Sequence, residues 1–232
     1  MTEIPLLLAT RNAHKTGEIR TILGGGFRCL ALNDFPDAPK VIEDAATFAG
    51  NATKKAVELA RWLSGSRPST LDLRPRFVLA DDSGLEVDVL NGAPGVHSAR
   101  FCALDSVKSG NTPDVDNNAK LMRLLKDVPL EKRTARFHCV IALAPVLPAK
   151  IEVSSPVCYA DEFEEQTEVF DGVCEGRIIS APRGQNGFGY DPLFVPVGFE
   201  QTFAELGDQV KNQLSHRSKA LQKLQEHFRR VN

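Results

Sequence analysis

The chain has 232 residues, 42% hydrophobic and 25% charged, enough apolar side chain for a sizeable core and too little bias for a disordered or fibrous protein. A formal net charge of −2 gives no global attraction to polyanions, which argues against nucleic acid as a partner and leaves room for a local basic pocket that takes a small phosphorylated ligand. No apolar run approaches the roughly 18 residues needed to span a bilayer, and Glu3 stands where a signal peptide wants positive charge, so the sequence predicts a cytoplasmic protein with no membrane partner.

Ile4 to Ala9 reads as a strand, Thr10 to His14 as a short turn, and the next segment as a helix with Ile19, Ile22 and Leu23 on one face. Glu43 lies just before a second helix, which begins after Asp44 and carries Phe48, Ala52, Ala56, Leu59 and Leu63 as an apolar stripe. Ser64 to Arg76, rich in Ser, Pro and Arg, reads as an exposed loop. The apolar run Phe77 to Leu79 leads into an acidic turn, Asp81-Asp82-Ser83, after which Leu85, Val87 and Val89 alternate with acids up to a tight reversal at Asn91-Gly92. Helical spacing resumes near Asp114 to Leu125. From Arg136 to Ile179 four β-rich runs (Phe137 to Leu143, Ile151 to Cys158, Glu168 to Phe170, Arg177 to Ile179) suggest antiparallel sheet. The chain ends in a helix with Ser215 as N-cap and Ala220, Leu221, Leu224 and Phe228 as its buried stripe. These elements predict an α/β fold: a mixed, strongly twisted sheet with flanking helices, one domain over residues 1–232 bent into two lobes around a cleft. The five cysteines are odd in number and widely spaced, which predicts buried free thiols and argues against a zinc site.

Four clusters carry candidate chemistry. Thr10-Arg11-Asn12-Ala13-His14-Lys15 joins a strand to a helix start, where backbone N–H groups and the helix dipole favour anions and Lys15 adds a cation; capping of an ordinary helix explains the same residues. Asp81 and Asp82 form a carboxylate pair that is costly to bury without a cation, and Asp82 is the expected inward-facing member, with Glu43 as a second oxygen ligand for Mg2+; a plain turn is the alternative. Gly187-Phe188-Gly189-Tyr190-Asp191-Pro192 offers a stacking ring, an acceptor and close backbone approach, or else a glycine-rich turn around a core phenylalanine. Ser215-His216-Arg217, preceded by Lys211, could read ring oxygens or phosphate, or could simply begin a solvated helix.

In this order the four segments resemble the inosine/xanthosine triphosphate pyrophosphatase family over nearly the whole chain. The resemblance rests on Leu8-Ala9-Thr10-x-Asn12-x-x-Lys15, on Ala80-Asp81-Asp82-Ser83-Gly84-Leu85 running into Asn91-Gly92-Ala93-Pro94-Gly95-Val96-x-Ser98-Ala99-Arg100, on the Gly187 to Pro192 run, and on Ser215-His216-Arg217-x-x-Ala220-Leu221. It implies a nucleotide cleft between two lobes, a homodimer, and Mg2+-dependent hydrolysis of a purine nucleoside triphosphate (ITP, dITP or XTP) to the monophosphate and pyrophosphate. Thr10, Asn12 and Lys15 would hold the triphosphate, with Lys55 and Lys211 as further cations. Asp82 would accept the proton and bind metal with Glu43, Ser83 would touch substrate, and Phe188, Gly189, Tyr190 and Asp191 with His216 and Arg217 would bind the base. Three departures stand out: Arg11 replaces a usual glycine, Gly50 stands where the family commonly has an acid, and His97 where it often has Tyr. A nucleotide-binding sensor without turnover, or a pyrophosphatase of the Maf-like kind with other base specificity, would use the same features.

Overall fold

The computed structural model describes residues 3–65, 74–105, 110–148 and 161–231. Strand β1 (Ile4–Leu8) buries Leu6, Leu7 and Leu8 completely, as a strand covered on both faces does. It runs parallel to β2 (Phe27–Ala31), with Leu6 opposite Cys29, and parallel to β3 (Phe77–Val87), with Leu7 opposite Val78. Parallel neighbours need a crossover. Helix α1 (Ala13–Leu23) supplies the one from β1 to β2, and α2 (Phe48–Gly65) precedes β3. With β4 (Thr134–Pro145), β5 (Glu168–Ile178) and β6 (Phe194–Pro196) the sheet has the order β2-β1-β3-β4-β5-β6. Strand β5 is antiparallel to β6, with Arg177 opposite Val195, so the sheet is mixed, as expected.

Two compact units share these strands: Met1–Asp82 with Val140–Phe170, and Ser83–Cys139 with Asp171–Asn232. The boundary falls inside β3, between the two residues Asp82 and Ser83. In the first unit the apolar stripe of α2, Phe48, Ala52, Ala56, Leu59 and Leu63, is buried as its spacing predicts. The same helix also buries Asn51 and Lys55. The short α4 (Glu162–Glu165) is capped by Asp161, whose Oδ1 accepts from Phe163 N at 3.1 Å.

The second unit holds α3 (Asp114–Leu124), α5 (Phe203–Leu214) and α6 (His216–Val231). Its core joins Leu85, Val87, Leu121, Phe137, Leu193, Phe194 and Phe203. Helix α5 opens on a reciprocal cap, Thr202 Oγ1 accepting from Glu205 N and Glu205 Oε2 from Thr202 N, and kinks at Gly207, where φ is +76°. Ser215 caps α6 as predicted, its Oγ accepting from Ser218 N at 3.2 Å. A Cβ at Gly172 of β5 would lie 2.1 Å from the His216 carbonyl oxygen and 2.6 Å from Ala220 N. Only glycine permits that approach, which brings the first turn of α6 directly against β5.

Several elements differ from expectation. The acidic segment is no turn: β3 is continuous through Asp81, Asp82 and Ser83, and ends at Val87. Val89 therefore lies beyond the strand and is exposed, although the reversal at Asn91 (φ +53°) and Gly92 (φ +82°) stands. The run Glu168 to Phe170 and the residues Arg177 and Ile178 belong to the single strand β5, and Ile179 lies just beyond its end. Ile151 to Cys158 lies outside the described residues, as do residues 66–73 of the predicted loop, while Ser64 and Gly65 complete α2. Four described cysteines are thiols outside any disulfide; Cys139 and Cys174 are buried, but Cys29 and Cys102 are only half-buried. Burial pushes the Cys174 thiol up to about 11, so it stays protonated and serves as a small core residue. No helix among the described residues is long and apolar enough to cross a membrane.

Candidate active site

The first unit gathers its polar side chains where β1 gives way to α1, where β3 carries its two acids, and along α2. Thr10 Oγ1 accepts from Asn12 N at 3.1 Å, and Asn12 Oδ1 accepts from His14 N (2.9 Å) and Lys15 N (3.2 Å). Asn12 is thus the N-cap of α1. Its oxygen takes up two of the backbone donors that an anion would use, and what remains for an anion is the positive helix end with its lysine. Arg11, Asn12, Ala13 and His14 are exposed. Arg11, the departure from glycine, donates from Nη2 to the Ala38 carbonyl at 3.2 Å.

Lys15 pairs with the Asp81 carboxylate, which is completely buried. Lys55 reaches the same strand from α2, its Nζ donating to the Asp81 carbonyl at 2.7 Å and pairing with Glu43 Oε1 at 2.7 Å. The neighbouring Asp82 accepts from Asn51 Nδ2 at 3.0 Å, while Asn51 Oδ1 accepts from Ala45 N at 2.9 Å. Asn51 therefore ties Asp82 to the segment that carries Glu43. It was not among the predicted site residues. The available signal was a polar residue in register with the buried face of an amphipathic helix, which burial makes costly unless it has a partner.

Burial raises the Asp82 carboxyl above the ordinary carboxylate range. The Lys55 and Lys15 ammonium groups pull it back, Glu43 adds to the rise, and the Asn51 hydrogen bond opposes it. A carboxylate so placed gains from a cation. Asp82 and Glu43 supply hard oxygen donors of the kind that a small divalent cation takes. Among the described residues no group of three or more His, Cys, Asp or Glu could hold a metal, so a cation here would take its other ligands from water or from the bound molecule. Gly50 cannot supply a further acid as the helix stands: a Cβ there would lie 2.8 Å from Ala45 Cβ.

The second unit gathers the other predicted residues. Asp191 Oδ2 accepts from Phe188 N at 2.9 Å and from Lys211 Nζ at 2.6 Å. Both charged side chains are only 2% exposed. Lys211 also sits 4.4 Å from the centroid of the Phe188 ring, a cation–π contact. A Cβ on Gly187 (φ +77°) would lie 2.2 Å from Asp191 Oδ2, so this turn requires glycine for space as well as for its backbone angle. Arg217 is buried, donates to Ser83 Oγ at 2.9 Å and lies 6.0 Å from the Phe188 ring. His216 stacks on Phe137, with centroids 4.9 Å apart and planes 13° from parallel.

The structure thus groups Lys211 with Phe188 and Asp191. Tyr190 belongs to the core: its hydroxyl donates to the Ser98 carbonyl at 3.0 Å, and burial pushes the phenol far above its usual value. One cluster is therefore cationic and carboxylate-bearing, suited to polyphosphate and metal. The other joins an aromatic ring to buried donors and an acceptor, suited to a polar planar ring.

The Ham1 family model matches residues 6–227. A dITP/XTP pyrophosphatase of Geobacillus kaustophilus (strain HTA426) is 43% identical over 227 residues, covering 97% of this chain and 95% of the relative. One from Geobacter sulfurreducens is 44% identical over 224 residues, covering 96% of each. Among solved structures, the Ham1 protein of Staphylococcus aureus aligns with a TM-score of 0.74 at 30% identity, covering 98% of this chain and 100% of that one. A HAM1 protein from Coxiella burnetii aligns with a TM-score of 0.73 at 33% identity, covering 98% and 99%.

Proposed function

The chain belongs to the Ham1 family, and on that premise we propose that it is a Mg2+-dependent nucleoside-triphosphate pyrophosphatase that converts ITP, dITP and XTP to the monophosphate and pyrophosphate. The observation that carries this reading is the buried Asp82 carboxylate, fixed by Asn51 and flanked by Lys15 and Lys55. Water attacks the α-phosphorus, the bond from that phosphorus to the bridging oxygen breaks, and pyrophosphate leaves. The water's proton passes to Asp82, whose raised affinity for protons suits a general base. Charge builds on the non-bridging oxygens and on the leaving pyrophosphate, and Lys15 and Lys55 are the cations at hand to neutralise it. Bound Mg2+, held by Asp82 and Glu43, would supply further positive charge to the same oxygens. A triphosphate then replaces Glu43 as the partner of Lys55 and frees Glu43 for the cation.

The base falls to Phe188, Gly189, Asp191, Lys211, Ser83, His216 and Arg217. Hypoxanthine and xanthine present a 6-oxo acceptor, where adenine presents an amino donor. Donors aimed at O6 would be left unpaired by ATP, a mismatch worth orders of magnitude in kcat/KM. A cytoplasmic location, a homodimeric state and no nucleic-acid partner go with this reading.

The reading is tested by kcat/KM for ITP, dITP, XTP, GTP and ATP with and without Mg2+. Turnover of the first three, at least about a hundredfold above ATP and only with metal, is expected. Equal rates on ATP would overturn the base assignment. Tight binding of ITP without turnover would make the protein a sensor.

A further inference from the structure

The Phe188 ring rides on a turn whose two flanking residues, Gly187 (φ +77°) and Gly189 (φ +64°), have the most permissive backbones in any chain. A ring that stacks on a base must be held in one orientation, and an unrestrained double-glycine turn would lose that orientation to backbone entropy. Helix α3 supplies the restraint from a distance in sequence. Asp114 Oδ2 accepts from Gly189 N at 2.6 Å, and Asn118 Nδ2 donates to Gly189 O at 3.0 Å. The two side chains are one helical turn apart, so they share a face of α3 and hold both polar atoms of a single glycine. On Gly189's other side, Asp191 holds Phe188 N and Tyr190 holds the Ser98 carbonyl.

The bond from Asp114 is not needed to bury apolar surface, for Asp114 and its neighbours Val115 and Asp116 are exposed, and the packed positions of α3 are Asn117, Lys120 and Leu121. An acid at this position also favours the helix through its dipole, but that effect needs no contact with Gly189 and gives Asn118 no role.

We infer that Asp114 and Asn118 are positioning residues for base recognition, clamping Gly189 so that the Phe188 ring and the Asp191 acceptor meet the purine in a fixed arrangement. The inference rests on the assignment of the base to the Phe188 to Asp191 segment. It predicts that loosening the clamp weakens binding of whatever carries the base and leaves the phosphate chemistry alone.

The test uses the whole chain, with Asp114→Ala, Asp114→Asn, Asn118→Ala and, as a reference for the base site, Phe188→Ala. Four quantities are read: kcat and KM for ITP, and inhibition by IMP and by pyrophosphate. Both clamp alanine variants should raise KM and the IMP inhibition constant by about five- to tenfold, with kcat and pyrophosphate inhibition within about twofold of the parent. Asp114→Asn keeps an acceptor for Gly189 N and should restore most of the IMP binding. Unchanged IMP inhibition in both alanine variants while Phe188→Ala weakens it overturns the clamp and leaves the base site standing. Equal weakening toward IMP and pyrophosphate also overturns it, since a general loosening would do that. Phe188→Ala without effect on IMP removes the base assignment, and the clamp with it. Should Asp114→Ala fail to fold, Asn118→Ala decides the matter alone.

Discussion

Replacing Asp82 by Asn yields a folded protein whose turnover of ITP falls by at least about a hundredfold, the usual scale for loss of a general base, with a further loss because a metal ligand goes too. The shape of the side chain and its acceptor for Asn51 Nδ2 are kept, so the chemistry is removed without a cavity. The same variant should not be destabilised. The folded state raises the Asp82 carboxyl, so the stability that this group contributes is fully present below the ordinary carboxylate value near 4 and is lost as pH climbs through the raised one. Asn does not ionise. In metal-free buffer the melting temperature of Asp82→Asn, compared with the parent, should therefore improve between about pH 4 and pH 7. A variant with parental rate removes Asp82 from the mechanism, and one that melts well below the parent at pH 7 contradicts the electrostatic account.

The second large effect concerns the buried pair of Lys211 and Asp191, 2.6 Å apart and each 2% exposed. Removing one member strands the other charge away from water, at a cost of about 3–5 kcal/mol. Asp191→Ala should thus lower the melting temperature by roughly 10 °C or more, and it also frees Phe188 N. The double variant Asp191→Leu with Lys211→Met replaces the pair with apolar groups of similar size and should recover most of that stability. It should not recover base selectivity. Thermal melts of the three proteins beside their ITP to ATP ratios separate the two roles; a double variant that keeps parental selectivity would show the pair to be structural only.

Periodicity alone finds α1, α2, α3 and α6, because each buries one stripe and two of them, α1 and α6, begin at recognisable caps, Asn12 and Ser215. Strand β2 escapes it: all five residues are half-buried, so nothing alternates, and three glycines precede it. Helix α5 is broken by Gly207 at a left-handed angle, which interrupts its stripe. The Asp81-Asp82-Ser83 segment reads as a turn because adjacent acids are poor strand residues. Its extended conformation is held by Lys15 and Lys55, 66 and 26 residues away, and no local pattern reveals such partners. The same reason hides Asn51, whose role depends on a carboxylate 31 residues further along. The motif segments were legible because each concentrates residue types that are costly to bury. The partner of Lys211 was not, because Asp191 is fixed by the turn around Gly187 rather than by spacing.

Hydrolysis of ITP in water enriched with 18O, with the products resolved by mass, tests the central claim most directly. The account predicts one labelled oxygen in IMP and none in pyrophosphate, since water attacks the α-phosphorus beside Asp82. Label in pyrophosphate would mean attack at the β-phosphorus, and labelled orthophosphate attack at the γ-phosphorus; either would contradict the assignment of this site.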